Sequence, residues 1–185
     1  MSEEMVIDNC SPTLAGIKTG SLFSCAYGSR EEIFTEVRRL NHLLVPRGLR
    51  VLVLSMGRTG KRALILVFRP ASLEKDLRAA EAAEILRERG YDPDDTRACI
   101  RRLRERIRDC EVFPHEIGLF LGYPVWDVRG FIEKGSRQCL FSGLWKVYAD
   151  RDGARKRFDS YRRCTRIYRD QFRRGEPLEK LAVGL

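Results

Sequence analysis

Few side chains in this sequence are suited to chemistry, and most of them fall in two short blocks. His115, one of two histidines, follows Pro114 at the predicted start of a short helix, with Glu116 beside it. A histidine in that setting suits a general base or a ligand contact once a partner fixes its tautomer. The competing structural role is for His115 and Glu116 to satisfy free N–H groups at a buried helix start. Cys10 precedes Ser11 and Pro12, a pattern for a helix beginning there, where the helix dipole and nearby Lys18 would lower a thiol pKa. A Cys10–His115 pair would follow the nucleophile–base logic of acyl transfer, although no third member or oxyanion donor is visible in the sequence. Lys18, Thr19 and Ser21 cluster just afterwards and form a candidate anion-binding set. Lys146 stands between Trp145 and Tyr148, a cation in aromatic company, with Tyr123 as a further stacking candidate.

Other signatures are excluded. Gly57-x-x-Gly60-Lys61 resembles a phosphate loop only superficially: Arg62 stands where a hydroxyl residue is needed, and a strand follows where a helix is required. The six cysteines (10, 25, 99, 110, 139, 164) contain no C-x-x-C unit and are read as reduced thiols packed as small apolar groups. No metal set and no cofactor are assigned. The formal charge of +9 suits nucleic acid, but arginine is mixed with Glu and Asp over every predicted helix face, which favours a solvated surface.

The elements that would position these groups follow from periodicity and caps. Residues 10–17 read as a short helical turn and Lys18–Tyr27 as a strand. Ser29 with Glu32 makes a capping box for a helix using Ile33, Phe34, Val37, Leu40, Leu43 and Leu44, stopped at Pro46-Arg47-Gly48. Leu49–Leu54 and Ala63–Phe68 read as a β-hairpin with its tip in the intervening Gly-rich segment. Helices follow over Ser72–Arg89, from Asp94 or Asp95 with Cys99, Ile100, Leu103 and Ile107 inward, from Pro114 to Gly122, and from Pro124 or Val125 to Gly135. Gln138–Tyr148 reads as a strand with Gly143 as a bulge or bend. Asp150 or Asp152 caps a long helix whose Phe158, Tyr161, Thr165, Tyr168 and Phe172 form one stripe, more suited to core packing than to base stacking. Glu176–Leu181 adds a final turn.

The stretch Phe113–Tyr148 interleaves glycines with bulky apolar groups, which calls for burial and close backbone approach. Three blocks stand out within the whole: Cys10-Ser-Pro-Thr-Leu-Ala-Gly-Ile-Lys18-Thr-Gly-Ser-Leu-Phe23, Phe113-Pro-His-Glu-Ile-Gly-Leu-Phe-Leu-Gly-Tyr-Pro124, and Trp145-Lys-Val-Tyr148 followed by Asp150. Together they resemble an uncharacterised bacterial family, found mainly in anaerobic Firmicutes and catalogued as a domain of unknown function. The resemblance covers nearly the whole chain. Asn9 stands where members often have His, and Gly20 where Ala is usual; Asn9 weakens any role built on a His–Cys pair. The resemblance implies no established activity, and the flavodoxin-like neighbours of such genes imply a link to redox or iron metabolism.

The expected fold is α+β: one domain over residues 1–185, with about four mostly antiparallel strands and about five to seven helices. Residues 1–9 are expected to be flexible and 176–185 frayed. The apolar runs are far shorter than the roughly 20 residues a membrane span needs. Met1-Ser2-Glu3-Glu4 lacks the cationic and apolar regions of a signal peptide, so a cytoplasmic location is expected, with the oligomeric state left open. The expected function is binding of an anionic metabolite, cofactor or protein partner through Lys18, Thr19, Ser21, His115, Glu116, Tyr123, Trp145 and Lys146. A Cys10/His115 enzyme and a nucleic-acid-binding protein are the alternatives.

Overall fold

The computed structural model describes residues 1–57, 61–109 and 112–184. Helix α1 (Glu3–Leu14) begins at Ser2, whose hydroxyl accepts from the Met5 N–H at 3.2 Å. The expected start at Ser11 and Pro12 is therefore corrected: both lie in the last turn, and the Ser11 hydroxyl donates back to the Ile7 carbonyl at 2.5 Å. The supposedly flexible residues 1–9 supply Val6 and Ile7, fully buried with Cys10 and Leu14 at helical spacing. Strand β1 (Gly20–Ala26) follows, then α2 (Arg30–Leu44), which opens with the expected Ser29–Glu32 capping box. A 3₁₀ turn over Val45–Arg47 ends at Gly48 in the left-handed region.

The hairpin is as the sequence suggests. Strands β2 (Arg50–Met56) and β3 (Arg62–Phe68) pair antiparallel, and β1 adds to the other edge of β3, giving the order β1-β3-β2. Leu22, Leu66 and Leu52 lie opposite one another across the three strands. The tip residues 58–60 and Cys110 lie outside the described residues, so the hairpin-tip reading is carried by its flank, where the Gly57 N–H donates to the Arg62 carbonyl at 2.7 Å.

The expected single helix over Ser72–Arg89 is two, α3 (Pro70–Arg78) and α4 (Ala80–Arg87), separated by an extended Ala79. No breaker residue asks for this, and packing supplies the reason. In one continuous helix Ile85 would lie about 120° around from Leu73. The break rephases the stripe, so Leu73 and Leu77 are buried before it and Ala82, Ile85 and Leu86 after it. Helix α5 (Thr96–Asp109) is capped by the Asp95 carboxylate, which accepts from the N–H groups of Arg97 and Ala98. Short α6 (Ile117–Phe120) and α7 (Val125–Lys134) fall within the expected bounds. Gln138–Tyr148 is not one strand. A 3₁₀ turn covers Ser136–Gln138, and β4 (Phe141–Ser142) and β5 (Lys146–Val147) form a miniature antiparallel hairpin that reverses at Gly143. Helix α8 (Arg151–Arg173) and α9 (Leu178–Leu181) complete the chain, and the expected frayed end instead buries Leu178 and Ala182.

The class is α+β with antiparallel sheets, as expected; the described residues hold nine α-helices and five strands. The fold divides into two compact units, Met1–Ser72 with Cys164–Leu185, and Leu73–Arg163, the second boundary falling within α8. In the first, α1, α2 and α9 share one apolar core with the three-stranded sheet, joined by Tyr168 and Phe172 of α8. In the second, Trp145, Val147, Phe158 and Tyr161 form an aromatic core.

One buried cation organises the first unit. Arg69, only 2% exposed, donates to the carbonyls of Thr13 (2.8 Å), Leu14 (2.6 Å), Val183 (2.7 Å) and Arg47 (3.3 Å). It thereby closes the C-terminal end of α1, where the helix dipole favours a cation, and ties down both the turn after α2 and the C-terminal tail. Burial pulls its pKa down, yet guanidinium stays charged because its ordinary value is so high. Arg69→Met should destabilise the protein by about 3 kcal/mol by removing four charge-assisted hydrogen bonds from a buried site. Arg69→Lys should recover little, because an ammonium cannot reproduce the planar fork. Urea denaturation measures both, and a lysine variant as stable as the parent would show that charge alone, not fork geometry, matters.

Candidate functional site

The second unit contains a cleft of about 250 Å³ built almost entirely from the Phe113–Lys146 stretch. Its apolar walls are Ile117, Val128 and Phe131, with Tyr123 and Trp145 stacked at 4.6 Å between ring centroids and 26° between planes. Trp145 is held edge-on against Phe158 at 4.4 Å, so α8 fixes the back of the wall. Burial, and to a lesser degree Tyr161, pushes the Tyr123 hydroxyl up to about 12, keeping it neutral. His115, exposed, sets its ring against Phe131 at 4.5 Å. Lys146, half-buried on β5, brings an ammonium to the same cleft. Among the described residues, neither the His115 nitrogens nor the Lys146 ammonium has a hydrogen-bond or ion-pair partner.

Asp127, at the start of α7 and 2% exposed, also lines the cleft and escaped the sequence reading. Its Oδ2 accepts from the Trp145 indole N–H and its Oδ1 from the Tyr148 backbone N–H, each at 2.8 Å. One carboxylate thus joins α7 to β5 and sets the orientation of the indole. The only available signal was a carboxylate inside an otherwise apolar run, Val125-Trp126-Asp127-Val128.

Of the residues singled out from sequence, His115, Tyr123, Trp145 and Lys146 line this one cleft. Glu116 does not. It is buried, accepts from the Tyr91 hydroxyl at 2.8 Å, and lies 2.6 Å from Arg106 Nε and 3.9 Å from Arg89 Nε. Burial and the Glu116 carboxylate together hold the Tyr91 hydroxyl protonated far above its ordinary range. Glu116 therefore anchors the Phe113–Gly122 block to α5 and to the Arg89–Tyr91 segment that follows α4.

Cys10, Lys18, Thr19 and Ser21 belong to the first unit. There Thr13 and Ser21 share a hydroxyl–hydroxyl hydrogen bond of 2.9 Å, and the Lys18 ammonium donates to the Gly20 carbonyl. Cys10 sits in the C-terminal half of α1 rather than at a helix start, so the dipole disfavours a thiolate. Burial pushes its thiol up to about 12 against the opposing pull of Lys18, and brings Lys18 down to about 8. The expected lowering of the Cys10 pKa is thus reversed. Cys25 and Cys99 are also buried and unpaired, while Cys139 and Cys164 are half-buried. Among the described residues no group of three or more His, Cys, Asp or Glu is placed to hold a metal ion, and no helix is long and apolar enough to cross a membrane.

The fold is α+β, and its second unit holds a small aromatic-walled cleft. A family model described as "Protein of unknown function (DUF3793)" matches residues 6–182, and the chain belongs to that family. No curated protein and no solved structure matches it.

Two outcomes follow from this geometry. A Cβ on Gly118 would lie 2.7 Å from Val128 Cγ2, and Gly122 has φ +72°. Gly118→Val and Gly122→Val should therefore each lower stability by at least about 2 kcal/mol, the first by overpacking and the second by backbone strain. Thermal denaturation reads both, and parent-like melting of the pair would refute the burial of the block. For Cys10, a thiol near pKa 12 rather than 9 holds roughly a thousandfold less thiolate at pH 7. Iodoacetamide should thus modify it only after unfolding; rapid native labelling, read by peptide mass mapping, would restore Cys10 as a candidate nucleophile.

Proposed function

We propose that this protein is a binding protein for a small planar organic anion, taken up by the cleft of the second unit. The observation that carries the reading is the convergence of a lysine and a histidine on an aromatic-walled cavity. Tyr123, Trp145 and Phe131 offer flat apolar surface to a ring, and Lys146, with His115 at the rim, offers donors to a carboxylate. Asp127 already spends one lone pair of each oxygen on Trp145 and Tyr148, so its role is to hold the wall. At about 250 Å³ the cavity lies below the ~300–1,000 Å³ of drug-sized sites, which favours a single-ring or fused-bicyclic acid over a dinucleotide.

The reading rests on the second unit alone and does not use Lys18, Thr19 or Ser21. The family match running through both units supports treating the chain as one domain. The unpaired described cysteines favour a reducing, cytoplasmic setting.

Isothermal titration with benzoate and indole-3-carboxylate against their carboxamides tests the proposal. At least one acid should bind about tenfold more tightly than its amide, and Lys146→Met should erase the preference, consistent with the ~1.5–3 kcal/mol of a charge-assisted hydrogen bond. Equal affinity of acid and amide, or no heat at millimolar ligand for either acid, would refute it.

A further inference from the structure

The positive charge of this protein is concentrated on two helices. Helix α8 carries eight Arg and one Lys against three Asp, a net +6, and α5 carries six Arg against Glu105 and Asp109, a net +4. Together these exceed the +9 of the entire chain, so the remainder is slightly acidic. A charge scattered evenly to keep a protein soluble would not be distributed in this way.

On α8 the arginines are also ordered. Arg151, Arg155, Arg162, Arg166, Arg169 and Arg173 recur at intervals of three, four or seven residues, which places them on one side of the helix, and all are exposed. At ~1.5 Å per residue this line runs about 33 Å. Two of its members have acidic neighbours: Arg162 lies 3.3 Å from Asp159 and Arg169 lies 2.5 Å from Asp8. Both pairs are at the surface, worth at most about 1 kcal/mol, and readily exchanged for another anion.

The apolar side of the same helix is already used. Phe158 and Tyr161 lie in the aromatic core of the second unit, and Tyr168 and Phe172 pack against the core of the first. With its aromatics inward, α8 has no rings on which unpaired bases could stack. The same burial leaves it no free apolar face to sink into a lipid surface. What it presents is a line of six exposed arginines, of which Arg151 also donates to the Leu140 carbonyl and Arg155 and Arg162 rest over the rings of Phe141 and Phe158, and its complement is an extended, repeating anion.

We propose that the arginine face of α8 is a docking surface for the phosphate backbone of a nucleic-acid duplex, read without regard to sequence. The line of charge is about as long as one turn of B-form duplex, roughly 34 Å, which carries a negative charge every ~1.7 Å. Guanidinium suits the contact because its planar fork donates two parallel N–H bonds to phosphate. This inference goes beyond the ligand reading of the cleft and rests on different residues.

The test is fluorescence anisotropy of two unrelated labelled 20-base-pair DNA duplexes, titrated with protein between about 50 and 200 mM NaCl. The parent protein should bind both duplexes within about twofold of each other, with log K falling by roughly 0.9 per phosphate contact per decade of salt. The triple variant Arg162→Gln, Arg166→Gln, Arg173→Gln, all exposed and none lining the cleft, should lose at least about tenfold at 50 mM and reduce the salt slope by about two to three. The matched variant Arg97→Gln, Arg101→Gln, Arg104→Gln on α5 removes the same charge and should lose less than about threefold. Circular dichroism checks that both variants are folded. Absence of duplex binding at 50 mM salt would overturn the proposal. So would equal losses in the two variants, which would mean non-specific charge, or protein sedimenting with phosphatidylserine vesicles while leaving duplex unbound.

Discussion

The candidate site depends on the carboxylate of Asp127. Buried at the start of α7, it would be costly to hold in an apolar core without partners, and it has two, the Trp145 indole N–H and the Tyr148 amide. Each bond to a charged acceptor contributes about 1.5–3 kcal/mol, and together they fix a two-strand hairpin too small to be stable by its own ladder. Once β5 is pinned, Trp145 must stack on Tyr123 and abut Phe158, and Lys146, next in sequence, is delivered to the cleft. Wall and cation thus share a common support.

The same logic recurs with opposite charge in the first unit. Arg69 has no carboxylate partner among its bonds; it spends its donors on four backbone carbonyls, two of which, Thr13 and Leu14, also accept from the Gly16 and Val183 N–H groups. Glu116 anchors the second unit between Tyr91, Arg89 and Arg106. In each case one long-range polar residue organises segments that are far apart in sequence, and the apolar cores fill in around it. Such residues confer specificity of arrangement as much as stability, since removing either side leaves a buried group without a partner.

Charge and apolarity are cleanly separated on α8. Its inward stripe serves both cores, and a line of six exposed arginines runs beside that stripe, the rest of the exposed side being mixed with Asp159, Ile167 and Asp170. The cleft, in contrast, is mostly apolar, lined by the Lys146 ammonium and the paired Asp127 carboxylate. We propose anions of different kinds for the two surfaces, one small and flat, the other extended and repetitive.

Much of the local structure could be read in the sequence because its causes are local. The Ser29–Glu32 capping box, the β2–β3 hairpin, the stripes of α5 and α8 and the boundaries of α7 follow from spacing and caps, and the family resemblance from contiguous blocks. His115, Tyr123, Trp145 and Lys146 stood out because polar and aromatic groups are unusual beside buried glycines, and they do share a cleft. Other features were decided by tertiary structure. The break at Ala79 serves the burial of Ile85, α1 starts nine residues earlier than Pro12 implied because Val6 and Ile7 have a core to enter, and Cys10 is consequently a buried thiol at the wrong end of a helix. The roles of Arg69, Glu116 and Asp127 were invisible for the same reason. Sequence alone sets periodicity and caps, which act within a few residues, but the partner of a buried charge lies wherever the chain returns, and only the fold determines where that is.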